Sequence, residues 1–280
     1  MKKIIVSSPA KINLFLKILG KRPDGYHNIF TFFQKVSLFD TLEISLDSGK
    51  FDIEIECSEP TIPSDKSNLA WKAAELFCNT SGREGLIFIN LKKVIPAGAG
   101  LGGGSSNAAA VLKGLNQLFG NPLSLKELLE IGAVLGADVP FFIAEWNAAI
   151  GSGTGADLKP ATSSNSVYLL IWPGFSVSTR WAYKNFVLTS NKETTIFGRG
   201  QGSEKLFFWQ NDLEPAVFKR FPLLKELKNR LKEAGALHTL MSGSGSVVFG
   251  EFESEQAARQ GLSQMATDQS WKTFVVQGLQ

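Results

Sequence analysis

An α+β fold is what this sequence predicts, with sheets and helices in layers rather than alternating along one parallel sheet. Three observations carry that prediction. The first ninety residues are dense in β-branched and aromatic side chains, in places alternating with polar ones. Two helical signals follow each other in mid-chain, the Ala/Leu-rich run 105–119 and the capping box Ser124-Leu125-Lys126-Glu127. The last part of the chain reads strand–helix–strand–strand–helix–strand, the order of an antiparallel sheet layered with helices.

Taken in order, strands are predicted over Lys2–Ser7, Ile12–Leu19, Ile29–Ser37, Thr41–Leu46 and Phe51–Cys57. Pro23-Asp24-Gly25 supplies a turn between the second and third of these. A helix opens at Ser67 and runs through Phe77, and Gly85–Val94 reads as a strand. Pro96–Gly104 is a glycine-dense loop, followed by helices over Ser105–Phe119 and from Ser124 to Leu135. Gly136–Phe142 reads as a short turn. Gly, Thr, Ser and Pro dominate Gly151–Ser166, which places a domain boundary there. Beyond it come strand Val167–Trp172, a helix near Thr179–Lys184 and a loose segment Thr189–Gly202. Helices near Asp212–Phe218 and Pro222–Ala234, strands near His238 and over Ser246–Phe252, helix Glu255–Ala266 and strand Trp271–Val276 complete the chain.

Composition narrows the function classes. With 280 residues, 44% hydrophobic and 20% charged, the chain can bury one large core or two small ones, and disorder or a fibrous repeat is excluded. The net charge of +3 is far from a nucleic-acid-binding composition. The densest basic run, Lys225–Lys232, carries leucines at 224, 227 and 231, the spacing of a helix with a solvated charged face. The longest apolar runs, such as Val167–Trp172, are strand-length, and the N-terminal MKKIIVSSPA is too short in apolar residues for a signal-peptide core. Two cysteines, Cys57 and Cys78, make neither a disulfide framework nor a zinc quartet. A soluble cytoplasmic protein is the expectation, with a small anionic substrate compatible with the slight positive balance. Oligomeric state is left open.

The sharpest local signal is Pro96-Ala97-Gly98-Ala99-Gly100-Leu101-Gly102-Gly103-Gly104-Ser105-Ser106-Asn107. Glycines permit positive φ and a close approach of ligand to backbone. Their N–H groups can converge on an anion, and the following helix adds its positive end. Ser105 and Ser106 could donate hydroxyls to phosphate oxygens. A flexible linker is the alternative, but linkers rarely sit tightly between a strand and a strong helix. The loop is not a Walker loop, because Gly104-Ser105 stands where Lys-Ser/Thr is required. Gly98, Gly100 and Gly103 match G-x-G-x-x-G, yet a Rossmann site wants an acidic residue ending the next strand, and Glu127 lies in a helix capping box. No Ala-x-Lys strand or His-Arg-Asp follows, as a protein-kinase loop would need.

Two companion motifs accompany the loop. Pro9-Ala10-Lys11-Ile12-Asn13-Leu14, continued by Gly25-Tyr26-His27, stands near the N-terminus, and Leu240-Met241-Ser242-Gly243-Ser244-Gly245-Ser246 near the C-terminus. With GLGGGSSNAA and Leu135-Gly136-Ala137-Asp138-Val139-Pro140 between them, the chain resembles the GHMP kinase superfamily over nearly its whole length. Within it, the Tyr-His and Gly-Ala-Asp-Val-Pro pieces resemble the branch that acts on a cytidine-diphospho sugar alcohol. The resemblance implies an N-terminal domain over 1–155 like the second domain of ribosomal protein S5. A ferredoxin-like domain would follow over 156–280, with ATP and substrate between them. It implies ATP-dependent phosphorylation of the 2-hydroxyl of cytidine-diphospho-methylerythritol, with Mg²⁺ accompanying ATP.

Roles follow from the resemblance residue by residue. Lys11, otherwise a surface lysine of a strand, would stabilise charge at the transferred phosphoryl group. Asp138, otherwise a helix N-cap before Pro140, would be the catalytic base, and the two roles can coexist. Lys93 and the run Pro96, Ala97, Gly98, Ala99, Gly100, Leu101, Gly102, Gly103, Gly104, Ser105 and Ser106 would hold ATP, although Lys92 could replace Lys93. Tyr26 would stack on cytosine and His27 would bond its edge, with Tyr183 as a second stacking aromatic and Thr179 nearby. Core packing is the competing reading for Tyr183. Asn13 would hold the sugar-alcohol hydroxyls or cap a turn. Ser242 and Gly243 would close on phosphates or form a hairpin turn. No carboxylate cluster for a metal stands out, and Ser106 is the one residue named as a Mg²⁺ ligand. His238, Cys57 and Cys78 read as structural. The competing functions are another GHMP small-molecule kinase, a non-catalytic nucleotide-binding regulator on the same fold, and a Rossmann-type oxidoreductase.

Overall fold

The computed structural model describes residues 1–187, 209–265, 268 and 270–280. Its frame is a long antiparallel hairpin of β1 (Lys2–Lys21) and β2 (His27–Asp47), joined by the expected Pro-Asp-Gly turn. Each strand was expected as two. Register shifts between Pro9/Ala10, Asn13/Phe15 and Ile18/Gly20 explain the difference. A bulge absorbs the proline that cannot donate to the ladder, so the strand bends without ending.

Strands β3 (Asp52–Cys57) and β4 (Leu86–Lys92) extend this sheet in the order β3-β4-β2-β1, and β5 (Ala148–Ser152) and β6 (Asp157–Pro160) branch from β2. Pairings within the hairpin and to β4 and β5 are antiparallel, so the doubly wound parallel sheet of a Rossmann site is excluded. Helices α1 (Leu69–Ser81), α2 (Gly103–Leu118), α3 (Leu125–Leu135) and α4 (Val139–Ile143) complete the first half. Leu42, Ile44, Ile87 and Ile89 of the sheet bury against Phe77 of α1 and Ala108, Val111 and Leu112 of α2. The capping box of α3 forms as expected from Ser124 and Glu127.

Three elements of this half escaped the sequence. The expected turn 136–142 contains α4, whose five residues are all buried and too few to show a helical period. The expected boundary 151–166 contains the β5–β6 hairpin, whose turn uses Gly153 at φ 64° and Gly155 at φ 100°. Glycine composition there marks a tight turn, and the first sheet continues to Pro160.

The second half holds β7 (Val167–Trp172), α5 (Thr179–Asn185), β8 (Gln210–Asn211), α6 (Glu214–Arg220), α7 (Pro222–Glu233), β9 (His238–Met241), β10 (Val248–Phe252), α8 (Glu255–Gln264) and β11 (Lys272–Gln277). The strands order β11-β7-β10-β9, all antiparallel, which is the ferredoxin-like arrangement. Leu224, Leu227 and Leu231 of α7 are fully buried against this sheet, so the basic run is indeed the outer face of an amphipathic helix. The expected loose segment Thr189–Gly202 lies outside the described residues, as does the last residue of the expected helix Glu255–Ala266.

The halves are joined by packing and by chain. Ala10, Ile12 and Phe32 of the hairpin share a core with Tyr168, Leu170 and Phe249 of the second sheet. β8 returns to pair in parallel with β1. The β1–β2 hairpin therefore touches both halves along its middle.

Candidate active site

The glycine loop leaves β4 and enters α2 with Gly98, Gly100 and Gly102 at φ 61°, 80° and 69°. Those left-handed values need glycine. The space around them is also taken: a Cβ on Gly100 would stand 2.0 Å from the Ser242 carbonyl oxygen, and one on Gly98 2.7 Å from Ser176 Cβ. The loop's carbonyls are gripped from three directions. Val177 N–H donates to Gly98 O (3.3 Å) and Val247 N–H to Ala99 O (3.1 Å). Lys11 N–H donates to Leu101 O at 2.9 Å. Gly100 O accepts from Lys11 Nζ (3.0 Å) and from Ser242 Oγ (2.9 Å). Holding the carbonyls outward leaves the N-terminal end of α2 facing the pocket, and its N-cap Gly102 provides no side-chain cap. The first-turn N–H groups are the unpaired donors of a helix start, suited to an anion. The arrangement is a cradle of donors suited to an anion.

A pocket of about 400 Å³ opens in front of the cradle. Lys11 and Asn13 of β1, the loop from Pro96 to Ser105 except the buried Leu101, Asp138, Thr179, Tyr183 and Gly243 all line it. The three sequence motifs, separated by up to 232 positions, thus meet in one place.

Lys11 is 4% exposed and held on every side. Its ammonium donates to Asn13 Oδ1 at 2.7 Å, lies 5.5 Å from the centre of the Phe33 ring, and stands 3.6 Å from Asp138 Oδ2. Asp138 occupies the N-cap position of α4, but with helical φ and ψ and no side-chain cap bond. The expected coexistence of cap and base is therefore corrected: the carboxylate faces Lys11 and the pocket. Pro140 at the start of α4 lacks the N–H a cap would bind.

Tyr183 lines the pocket and stacks with His27 beside it, 5.4 Å between ring centres with planes 30° apart, and Phe186 meets His27 edge-on at 6.4 Å. Burial and the nearby charge of Asp138 push the Tyr183 phenol well above its ordinary pKa, so it stays neutral. Partial burial, with Lys21 adding to it, lowers His27, which favours the neutral imidazole. Core packing alone does not describe Tyr183, since it lines the pocket. Tyr26 does not join this wall: it is 67% exposed in the turn, its N–H bound to Asp24. Thr179 Oγ1 bonds Ser244 Oγ at 2.9 Å, tying α5 to the third motif.

Two named residues sit behind the cradle. Lys93 Nζ pairs with Asp40, also donates to Asn107 Oδ1 at 3.1 Å, and is buried. Asp40 further accepts from Val94 and Ile95 N–H at 2.7 and 2.8 Å, locking the exit of β4. Ser106 is 1% exposed and accepts from Ser8 Oγ at 2.8 Å, which turns its hydroxyl into the protein. Sequence reasoning missed Asp40, because an aspartate in Leu38-Phe39-Asp40-Thr41 reads as an ordinary strand-end acid. Phe33 and Phe186 were also missed, being indistinguishable from the other phenylalanines of the chain. No group of three or more His, Cys, Asp or Glu that could hold a metal occurs among the described residues. None of the described helices is long and apolar enough to cross a membrane.

The chain is similar to known proteins over nearly its whole length. Residues 68–145 match the GHMP kinases N-terminal domain and residues 200–269 the GHMP kinases C-terminal domain. The chain is 46% identical over 274 residues to a 4-diphosphocytidyl-2-C-methyl-D-erythritol kinase of Citrifermentans bemidjiense, covering 97% of each chain. It is 42% identical to the enzyme of that name from Syntrophotalea carbinolica, covering 96% of this chain and 97% of that one. A crystal structure of a 4-(cytidine 5'-diphospho)-2C-methyl-D-erythritol kinase superposes with a TM-score of 0.80 at 33% identity, covering 98% of this chain and all of that one. A homoserine kinase structure from Cytophaga hutchinsonii, at 21% identity and a TM-score of 0.73, shares the fold.

Proposed function

The chain belongs to the GHMP kinases and, within them, to the 4-diphosphocytidyl-2-C-methyl-D-erythritol kinases, and from that premise we propose how its pocket performs the transfer. The enzyme moves the γ-phosphoryl group of ATP onto the 2-hydroxyl of cytidine-diphospho-methylerythritol, a step in isoprenoid precursor synthesis by the non-mevalonate route. The observation that carries the mechanism is Asp138 Oδ2 placed 3.6 Å from Lys11 Nζ, directly beside the glycine cradle.

In this reading the triphosphate lies along Gly98–Ser105, its negative charge met by the α2 N-terminus. Asp138 accepts the proton of the 2-hydroxyl as the oxygen attacks the γ-phosphorus, and the bond to the β-phosphate oxygen breaks to release ADP. Lys11, already desolvated, stabilises the charge on the transferred oxygens. The cytosine lies on the His27–Tyr183 wall, with neutral His27 offering a ring nitrogen to the base edge. Tyr26 then covers the mouth rather than the floor. A Mg²⁺ ion accompanying ATP would supply further neutralisation of phosphate charge. No group of three or more His, Cys, Asp or Glu that could hold the ion occurs among the described residues, and Ser106 is buried with its hydroxyl accepting from Ser8, so the nucleotide itself would be the ion's main support. Lys93 supports the cradle through Asp40 instead of touching ATP. The enzyme works free in solution in the cytoplasm.

The test is ATP consumption with cytidine-diphospho-methylerythritol, homoserine and mevalonate offered separately. Turnover with the first alone supports the reading. Preferred turnover of homoserine or mevalonate would overturn it.

A further inference from the structure

Lys11 is held by the amide of Asn13, and that amide must point one way to do so. Asn13 sits beside a register shift between Asn13 and Phe15, which turns its side chain toward the neighbouring strand. There Asn13 Nδ2 donates to Thr31 Oγ1 at 2.8 Å, while Thr31 Oγ1 donates to the carbonyl of Phe15 at 2.7 Å. A hydroxyl has a single proton. Once that proton is committed to Phe15, Thr31 can only accept, so Asn13 must present its NH₂ group to it. The Asn13 oxygen is then left facing the Lys11 ammonium, 2.7 Å away. An ammonium has donors only, so a flipped amide would set N–H against N–H. Thr31 is fully buried and is not part of the pocket wall.

We infer that Thr31 is a positioning residue: the direction of its hydroxyl fixes the orientation of the Asn13 amide, and through it the place of Lys11 beside the transferred phosphoryl group. The inference rests on the reading of Lys11 given above. It extends the site by one residue that touches neither substrate nor nucleotide.

A double-mutant cycle on the full chain tests it. Thr31→Val keeps the shape and the buried methyl group while removing the proton and the acceptor. It should lower kcat about tenfold, the scale of one lost hydrogen bond at the reacting centre, with KM for ATP within about twofold. Thr31→Ser restores the hydroxyl and should recover most of kcat. In an Asn13→Ala background, where no amide remains to orient, Thr31→Val should cost little more. If Thr31→Val does not fold, Thr31→Ala takes its place in the same cycle. A Thr31 variant with unchanged kcat, a loss that Ser does not rescue, or a full further loss on top of Asn13→Ala would each overturn the inference. Asn13→Ala with normal kcat would instead overturn the assignment of Asn13 to Lys11, which is a different failure.

Discussion

Asp138 and Lys11 face each other across 3.6 Å, although one ends a helix-to-helix turn and the other lies in the middle of a strand. The carboxylate is about one-third exposed while the ammonium is 5% exposed, so the pair opens to the pocket from the acid's side. The proposed role of Asp138 as the base rests on this placement, with no cap bond to hold it otherwise. Asp138→Asn should therefore leave the melting temperature nearly unchanged. Loss of a general base typically slows the chemical step about 10²–10⁴-fold. Single-turnover measurements should show that fall in rate with both substrates still bound. A stable variant with near-normal chemistry would reduce Asp138 to a structural residue.

The aromatic wall gives a contrast between two tyrosines. Tyr183 is stacked on His27 and lines the pocket, whereas Tyr26 is 67% exposed. Base stacking is worth roughly 1–3 kcal/mol by truncation, or about 5- to 150-fold in affinity. Tyr183→Ala should raise KM for the cytidine substrate on that scale without changing KM for ATP. Tyr26→Ala should raise it less. If both variants bind substrate as the wild type does, cytosine lies elsewhere.

Gly100 and Gly104 separate loop architecture from phosphate space. Ala at position 100 would meet the Ser242 carbonyl at 2.0 Å with φ at +80°, so Gly100→Ala should destabilise the protein and lose ATP together. Ala at 104 would meet only Leu69 Cδ1 at 3.5 Å, an ordinary contact. Gly104→Ala should melt as the wild type does, and calorimetry should find weaker ATP binding because the methyl group enters the phosphate space. Unchanged ATP affinity would put the phosphates away from this turn. Gly103 is a poorer choice than its place in the motif suggests: a Cβ there meets Ile95 Cγ2 at 2.9 Å and Lys93 Nζ at 3.2 Å, so the fold suffers first.

Lys35 gives a pH prediction with a definite sign. It is buried, donates to Ala144 O at 2.9 Å, and its pKa is pushed down to about 8, chiefly by burial and then by Lys113. The folded state thus releases this proton before the unfolded state does. Its charge is a penalty to folding below about pH 8, and the penalty is relieved as pH rises from there toward the ordinary lysine value. Wild type should gain stability relative to Lys35→Met between pH 8 and 10, on the order of 1–3 kcal/mol. Denaturant unfolding at both pH values measures it. Parallel curves for the two proteins would mean that Lys35 is not strained by burial.

What could be read from the sequence depended on whether a residue's neighbours in the chain are also its neighbours in space. The glycine loop, the capping box at Ser124 and the leucine stripe of α7 are local patterns, and each stands where it was expected. Lys11 and Asp138 could be named because motifs carry them, although their spacing of 3.6 Å could not. Asp40 carries no local mark at all. It is decisive only because β4 and α2 bring Lys93, Asn107 and two backbone N–H groups to it. Thr31 is equally silent in sequence, since its role depends on a bulge in the opposite strand.

The grip on the glycine loop also sets an order of events during synthesis. Ser242, which holds Gly100 O, lies 142 positions further along the chain. At roughly 5–20 residues per second, a ribosome needs about 7–28 s to deliver it after the loop has emerged. Through that interval Lys11, already made, can hold the Gly100 and Leu101 carbonyls, but the Ser242 bond to Gly100 O is missing and Val247 is still to come. The loop therefore reaches its full set of clamps only late in synthesis, when the second half of the chain has been made.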